Sequence, residues 1–222
     1  MDTENLRNIY AMLTRNLAAA TAVSVAIMLG GAARSEAANE GPTINSSVFV
    51  DRLTQSELLR WRALAPAQQR ATLTLLADPR VQRGFATVGQ AKAVSSAIDL
   101  VETRDTARTP VRAMPTAATT TYQVQSWYSR TWTIFGIAYA TTRLDYYYVT
   151  GAGVVLYDHY CSASYSNRVP LRSMSVQVNH YVGGGKGTCV ATWTLTKLNF
   201  WTDTSDQGMR VNGRGVEATW GP

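Results

Sequence analysis

The chain holds two histidines, His159 and His180, the side chains whose ordinary titration lets them carry a proton near neutral pH. Asp158 precedes the first and Ser162 follows it closely, so the residue types of a nucleophilic triad are present. Their spacing argues against one. Neighbouring strand residues point to opposite faces, so Asp158 cannot orient His159 without a bulge. No G-x-S-x-G elbow is there to expose a serine. His159, His180 and Asp158 are therefore the candidates of an alternative reading, a secreted hydrolase with one imidazole as general base.

The other chemistry-bearing groups are thinner. Gly183 to Gly187 with Lys186 has the glycines of an anion-binding loop, but Lys186 is followed by Gly and then a strand, where a phosphate loop needs Lys-Ser/Thr opening a helix. A hairpin turn accounts for it. Glycoside hydrolysis needs two carboxylates facing each other across a cleft. Asp203 and Asp206, in the polar stretch Thr202 to Gly208, read instead as turn residues of a loop. Cys161 and Cys189 are the only cysteines. Beside the two histidines they lack zinc-ligand spacing, whereas in an exported chain they pair as a disulfide. The reading includes no metal, no cofactor and no specific nucleic-acid site.

Aromatic residues are the most suggestive feature, with 11 Tyr and 6 Trp in 222 residues. Strand alternation sends Tyr146, Tyr147 and Tyr148 to both faces of a sheet, so some rings must face solvent or an interface. Trp127, Tyr128, Tyr146, Tyr147, Tyr148 and Trp201 are the expected ligand-binding residues, offering flat apolar faces with polar tips that suit a glycan or a protein.

The elements that position these residues follow from composition. The charged fraction is 16% and the hydrophobic fraction 45%, which suits pleated strands around a core. Residues 17 to 31 are uncharged, follow Arg7 and Arg15, and are too short to span a bilayer; with small residues at Ser35 and Ala37 they predict a signal peptide over 1–37. A flexible arm is expected over 38–50. A helical segment is expected over 51–104, from a capping box at Thr54 and Glu57, a helix starting at Pro66, and a third beginning after Asp78-Pro79 and extending toward Val101. The Thr/Pro/Ala-rich stretch 105–121 reads as a linker. From Tyr122 the apolar period becomes two, and turn signals at Gly151 to Gly153 and Gly183 to Gly187 separate short strands through residue 222. The expected fold is mainly β: an antiparallel β-sandwich of Ig-like or Greek-key type, preceded by a small α-helical segment.

The layout of a signal, a helical segment and a Thr/Trp/Tyr-rich β domain with one disulfide resembles the small secreted proteins of high-GC Gram-positive bacteria. That resemblance implies an extracellular or cell-surface location and brings no activity with it. The net charge of +6 favours anionic partners such as a cell-envelope polymer, although the arginines are spread singly. The expectation is a non-catalytic secreted β domain binding an extracellular glycan or protein through exposed aromatics. Besides the hydrolase, a membrane-active β-hairpin over Tyr122 to Tyr139 is the second alternative.

Overall fold

The computed structural model describes residues 44–111, 120–197 and 201–221. The expected signal peptide and residues 38–43 of the expected arm lie outside these residues, while Ser46–Val50 of that arm is helical and not a flexible arm. Five short helices come first, each started by a recognisable cap. In α1 (Ser46–Val50) the Asn45 side chain accepts from Ser47 N at 3.0 Å. In α2 (Gln55–Ala63) the Glu57 carboxylate accepts from Thr54 N at 2.9 Å. Pro66 opens α3 (Pro66–Ala77), Asp78 caps α4 (Pro79–Arg83), and Thr87 caps α5 (Val88–Val94). The single helix expected after Asp78 is thus two, interrupted at Gly84, whose φ of 84° ends α4.

Eight antiparallel strands follow in two sheets. The first contains β1 (Ile98–Pro110), β2 (Thr121–Ile134), β3 (Ile137–Gly151) and β4 (Val154–Asn167). The second contains β5 (Arg172–Gly183), β6 (Lys186–Lys197), β7 (Trp201–Asn212) and β8 (Gly215–Trp220). Each sheet is ordered as its strands occur in the chain, so the connectivity is two successive meanders rather than Ig-like or Greek-key. Short turns explain this. Phe135-Gly136, Ala152-Gly153 and Gly184-Gly185 all have positive φ at both positions, the geometry that returns a strand directly onto its neighbour.

Three sequence boundaries move. The helical segment ends at Val94 rather than residue 104, and residues 98–110, assigned partly to the helix and partly to the linker, form β1. β1 pairs along β2 from Ile98↔Ile134 to Pro110↔Tyr122. β1 is an edge strand with most side chains exposed, so its sequence carries no apolar alternation, and an edge tolerates Pro110. Residues 112–119 of the expected linker lie outside the described residues. Thr202 to Gly208 is part of β7 and not a loop.

The sheets pack face to face to form the β-sandwich. Val124, Tyr128, Leu144, Tyr146 and Tyr148 of the first sheet meet Cys189, Ala191, Trp193, Met209 and Val211 of the second. The Cys161–Cys189 disulfide, Cα to Cα 5.8 Å, joins β4 to β6 across this core. A second core closes one end, where Phe49, Trp61, Leu76, Val81 and Phe85 of the helical segment cover Ile98, Trp132, Ile134 and Ile137. Arg168 fastens that cap by donating to the Glu57 carboxylate and, at 2.8 Å, to Ala138 O. Among the described residues, no helix is long and apolar enough to cross a membrane.

Candidate ligand-binding cleft

The six expected aromatic residues divide by strand phase. Tyr128, Tyr146 and Tyr148 point inward and are 2%, 0% and 0% exposed, so they are core residues and no binding surface. Their hydroxyls are used internally: Tyr128 donates to Glu102, Tyr146 to Asp158 at 2.9 Å, and Tyr148 shares a 2.9 Å bond with Ser126. Trp127 and Tyr147 lie on the outer face of the first sheet. Arg143 sits 4.5 Å over the Trp127 ring, and Tyr147 stacks on Tyr160 with centroids 4.4 Å apart. Trp201 begins β7 near the helical end, with Arg83 5.8 Å from its ring centre.

The catalytic candidates are partly brought together. A register shift after Tyr147 leaves Asp158 opposite Tyr148 and His159 unpaired, which turns Asp158 inward. There its Oδ2 meets His180 Nδ1 at 2.7 Å as well as the Tyr146 hydroxyl. Partial burial pulls the Asp158 carboxyl upward in pKa, but the His180 and Tyr146 hydrogen bonds outweigh it and hold the group below the usual carboxylate range. His159 lies elsewhere, edge-on to the Tyr157 ring at 5.4 Å. Among the described hydrogen bonds no hydroxyl reaches His180, and Ser162 is exposed on β4. An acid–imidazole pair without an attached nucleophile ties the β4 edge to β5; it does not assemble a triad. Among the described residues no group of three His, Cys, Asp or Glu could hold a metal ion.

An apolar cavity lies elsewhere, between the two sheets at the helical end. Its volume is about 320 Å³ and it is walled by Phe85, Trp132, Met174, Trp193 and Leu195, with the buried Arg130, Tyr139 and Arg172, the half-buried Thr142, Asp203 and Ser205, and the exposed Arg83 also in its lining. Strand phase builds it. In β2 the inward positions are Val124, Ser126, Tyr128, Arg130, Trp132 and Ile134, so Arg130 occupies an apolar phase. A second register shift, between Trp132 and Thr133, leaves Tyr139 without a partner on β2 and lets both Tyr139 and Ala140 be buried. In β7 the inward residues Asp203 and Ser205 line the cavity, and Gln207, just beyond, accepts from Trp193 Nε1 at 3.1 Å. That polar inward face is why the segment reads as a loop.

No family model matches the chain, and neither does any curated protein or solved structure.

The polar groups in the cleft are unevenly satisfied. Arg130 is 5% exposed; its Nε donates to Glu102 Oε1 at 2.9 Å, while its Nη1 is buried with no hydrogen-bond partner among the described residues. The Tyr139 hydroxyl, on a residue 1% exposed, is the second such atom. Burial raises the Tyr139 pKa, opposed by Arg172, and keeps the phenol protonated. Arg172 is held by neutral acceptors, Asn167 Oδ1 at 2.7 Å and Gln82 O at 3.1 Å, with no carboxylate in salt-bridge contact among the described residues. Burial brings its pKa down to about 10, which leaves it charged at neutral pH. Sequence reading passed over these residues, although one signal was there: a charge in the apolar phase of β2 at Arg130, and another at Arg172 in phase with Met174 and Val176.

Proposed function

We propose that this is an exported, non-catalytic binding protein whose ligand occupies the cleft between the two sheets. The observation that carries the reading is the pair of buried, unpartnered polar atoms, Arg130 Nη1 and Tyr139 OH, both on residues lining a largely apolar cavity. An unsatisfied buried polar group costs about 1–3 kcal/mol, more when charged, and a fold that keeps two in one cavity gains that back when a ligand pairs them. About 320 Å³ lies at the lower end of small-molecule sites. Export is supported by the sequence of residues 1–37 and by the disulfide, which oxidising compartments maintain.

The test is a titration of the full-length, disulfide-formed protein with apolar small molecules bearing neutral, anionic or cationic heads, following tryptophan fluorescence. Trp132 and Trp193 in the cleft wall should report saturable, one-to-one quenching by at least one of them. Ala86→Trp, which fills the mouth from an exposed position, should abolish it; quenching that survives this variant places the ligand elsewhere. Export is checked by sequencing the N-terminus of protein recovered from the medium, with Ala38 expected first.

A second reading keeps the glycan or protein partner on the outer face, where Trp127, Arg143, Tyr147 and Tyr160 form two stacked pairs on one sheet surface. Trp127→Ala with Tyr147→Ala should abolish retention on a cell-wall polysaccharide while leaving cleft binding intact; unchanged retention excludes that face.

A further inference from the structure

We infer that the cleft ligand is an amphipathic organic anion, a carboxylate head on a flat apolar body, inserted head first. This rests on the cleft being the binding site. The charges facing the cavity are Arg83, Arg130 and Arg172 against Asp203, with Glu102 beside Arg130. They are not balanced at equal depth. Asp203 lies at the exposed mouth, 3.8 Å from Arg83, and neutralises that rim arginine. Glu102 is half exposed and takes the Nε edge of Arg130, leaving Nη1 buried and free. Among the described residues Arg172 has only amide and carbonyl acceptors. The buried lining of the cleft therefore holds two guanidinium groups and a protonated phenol with its oxygen unpaired, while Glu102 touches Arg130 from outside the cavity.

A desolvated positive charge surrounded by apolar walls is costly until an anion joins it. A carboxylate supplies what the lining lacks: an acceptor for the Arg130 Nη1–H, which packs beside Gly221, or for the Tyr139 O–H, and a negative charge to offset Arg172. The body of the ligand then meets Phe85, Trp132, Trp193, Met174 and Leu195, which offer ring faces and aliphatic carbon but few hydrogen-bonding groups. A sugar would bring many hydroxyls into a wall that cannot pair them, so the same lining that accepts an apolar body disfavours a neutral glycan. The order of depth, buried arginines inside and the solvated Arg83–Asp203 pair at the mouth, sets the direction of entry.

The experiment compares three matched probes, 2-naphthoate, its methyl ester and 2-naphthylmethylamine, against the full-length protein by tryptophan fluorescence. Naphthoate is expected to bind saturably, at least tenfold more tightly than the ester, with no binding of the amine. Arg130→Gln should weaken naphthoate at least tenfold and leave the ester unchanged. Tyr139→Phe removes only the unpaired hydroxyl, so it should fold with a melting temperature equal to or above that of the parent while weakening naphthoate several-fold. Equal affinity for ester and acid, with both lost in Ala86→Trp, would overturn the anion and leave the cleft. Absence of binding by all three probes, or binding indifferent to Ala86→Trp, would overturn the cleft as well.

Discussion

Arg130 and Glu102 share a single hydrogen bond, Nε to Oε1 at 2.9 Å, which uses one edge of the guanidinium and leaves Nη1 buried and unpaired. Glu102 is thus a partial counterion on an edge strand, with half its side chain in solvent. Glu102→Gln keeps an acceptor for Arg130 and Tyr128 while removing the negative charge. It should tighten naphthoate binding about threefold, since anion and carboxylate no longer compete for one cation. Because Arg130 is buried, loss of its counter-charge should lower stability by about 1–3 kcal/mol in the absence of ligand. Titration and urea denaturation of the same variant check both numbers.

The Asp158–His180–Tyr146 cluster predicts an acid-labile edge. Burial raises the Asp158 pKa but its two hydrogen bonds lower it by more, so the folded value lies below that of the unfolded chain. A carboxyl with a depressed folded pKa contributes stability that is complete above its unfolded value of about 4 and is lost as pH falls through the folded one. Glu57, whose burial is outweighed by hydrogen bonds from Thr54 and Arg168, acts with the same sign. Denaturation midpoints should therefore be flat from pH 7 to about 5 and decline below about 4. Asp158→Asn should cost about 1–2 kcal/mol at pH 7 and make the acid limb shallower.

The Cys161–Cys189 bond closes a 28-residue separation and spans the two sheets. Replacing both cysteines by Ser should lower unfolding free energy by about 3–4 kcal/mol on the chain-entropy estimate. Chemical denaturation with and without a reductant measures this; a loss below about 1 kcal/mol would mean that the meanders hold the sandwich together unaided.

Gly213, in the turn between β7 and β8, lies against the turn that joins β3 and β4. A Cβ there would fall 2.0 Å from the Gly153 carbonyl carbon. Gly213→Ala must push two backbones apart and should cost about 2–3 kcal/mol, seen as a lower thermal midpoint. Gly183→Ala has open space around it and serves as the comparison.

Local rules reached the parts of this protein that local rules govern. The caps at Thr54, Pro66 and Asp78, the turns at Gly153 and Gly184, and the inward face of Cys189, Ala191, Trp193 and Leu195 were legible because each depends on neighbours in the chain. The mainly β class was legible from composition and period, and the cysteine pairing because the chain has only two cysteines. β1 was not, because an edge strand is defined by the ladder it makes with β2 and needs no apolar period of its own. Nor was the inner face of β7: Asp203, Ser205 and Gln207 are polar because they face a cavity and an indole, and a cavity exists only once two sheets are stacked.

The cleft marks the same division. Arg130 and Tyr139 could each be read as ordinary strand residues, one an isolated charge and the other one tyrosine among many. What makes them a site is a pair of long-range facts. A bulge between Trp132 and Thr133 buries Tyr139 beside Ala140 in the core under the helical segment, and Arg130 packs against Gly221, so that water no longer pairs their free atoms. Composition and periodicity determine which side chains can form strands, turns and a disulfide. Only tertiary packing decides which polar groups are cut off from solvent, and that desolvation distinguishes a binding site from a surface.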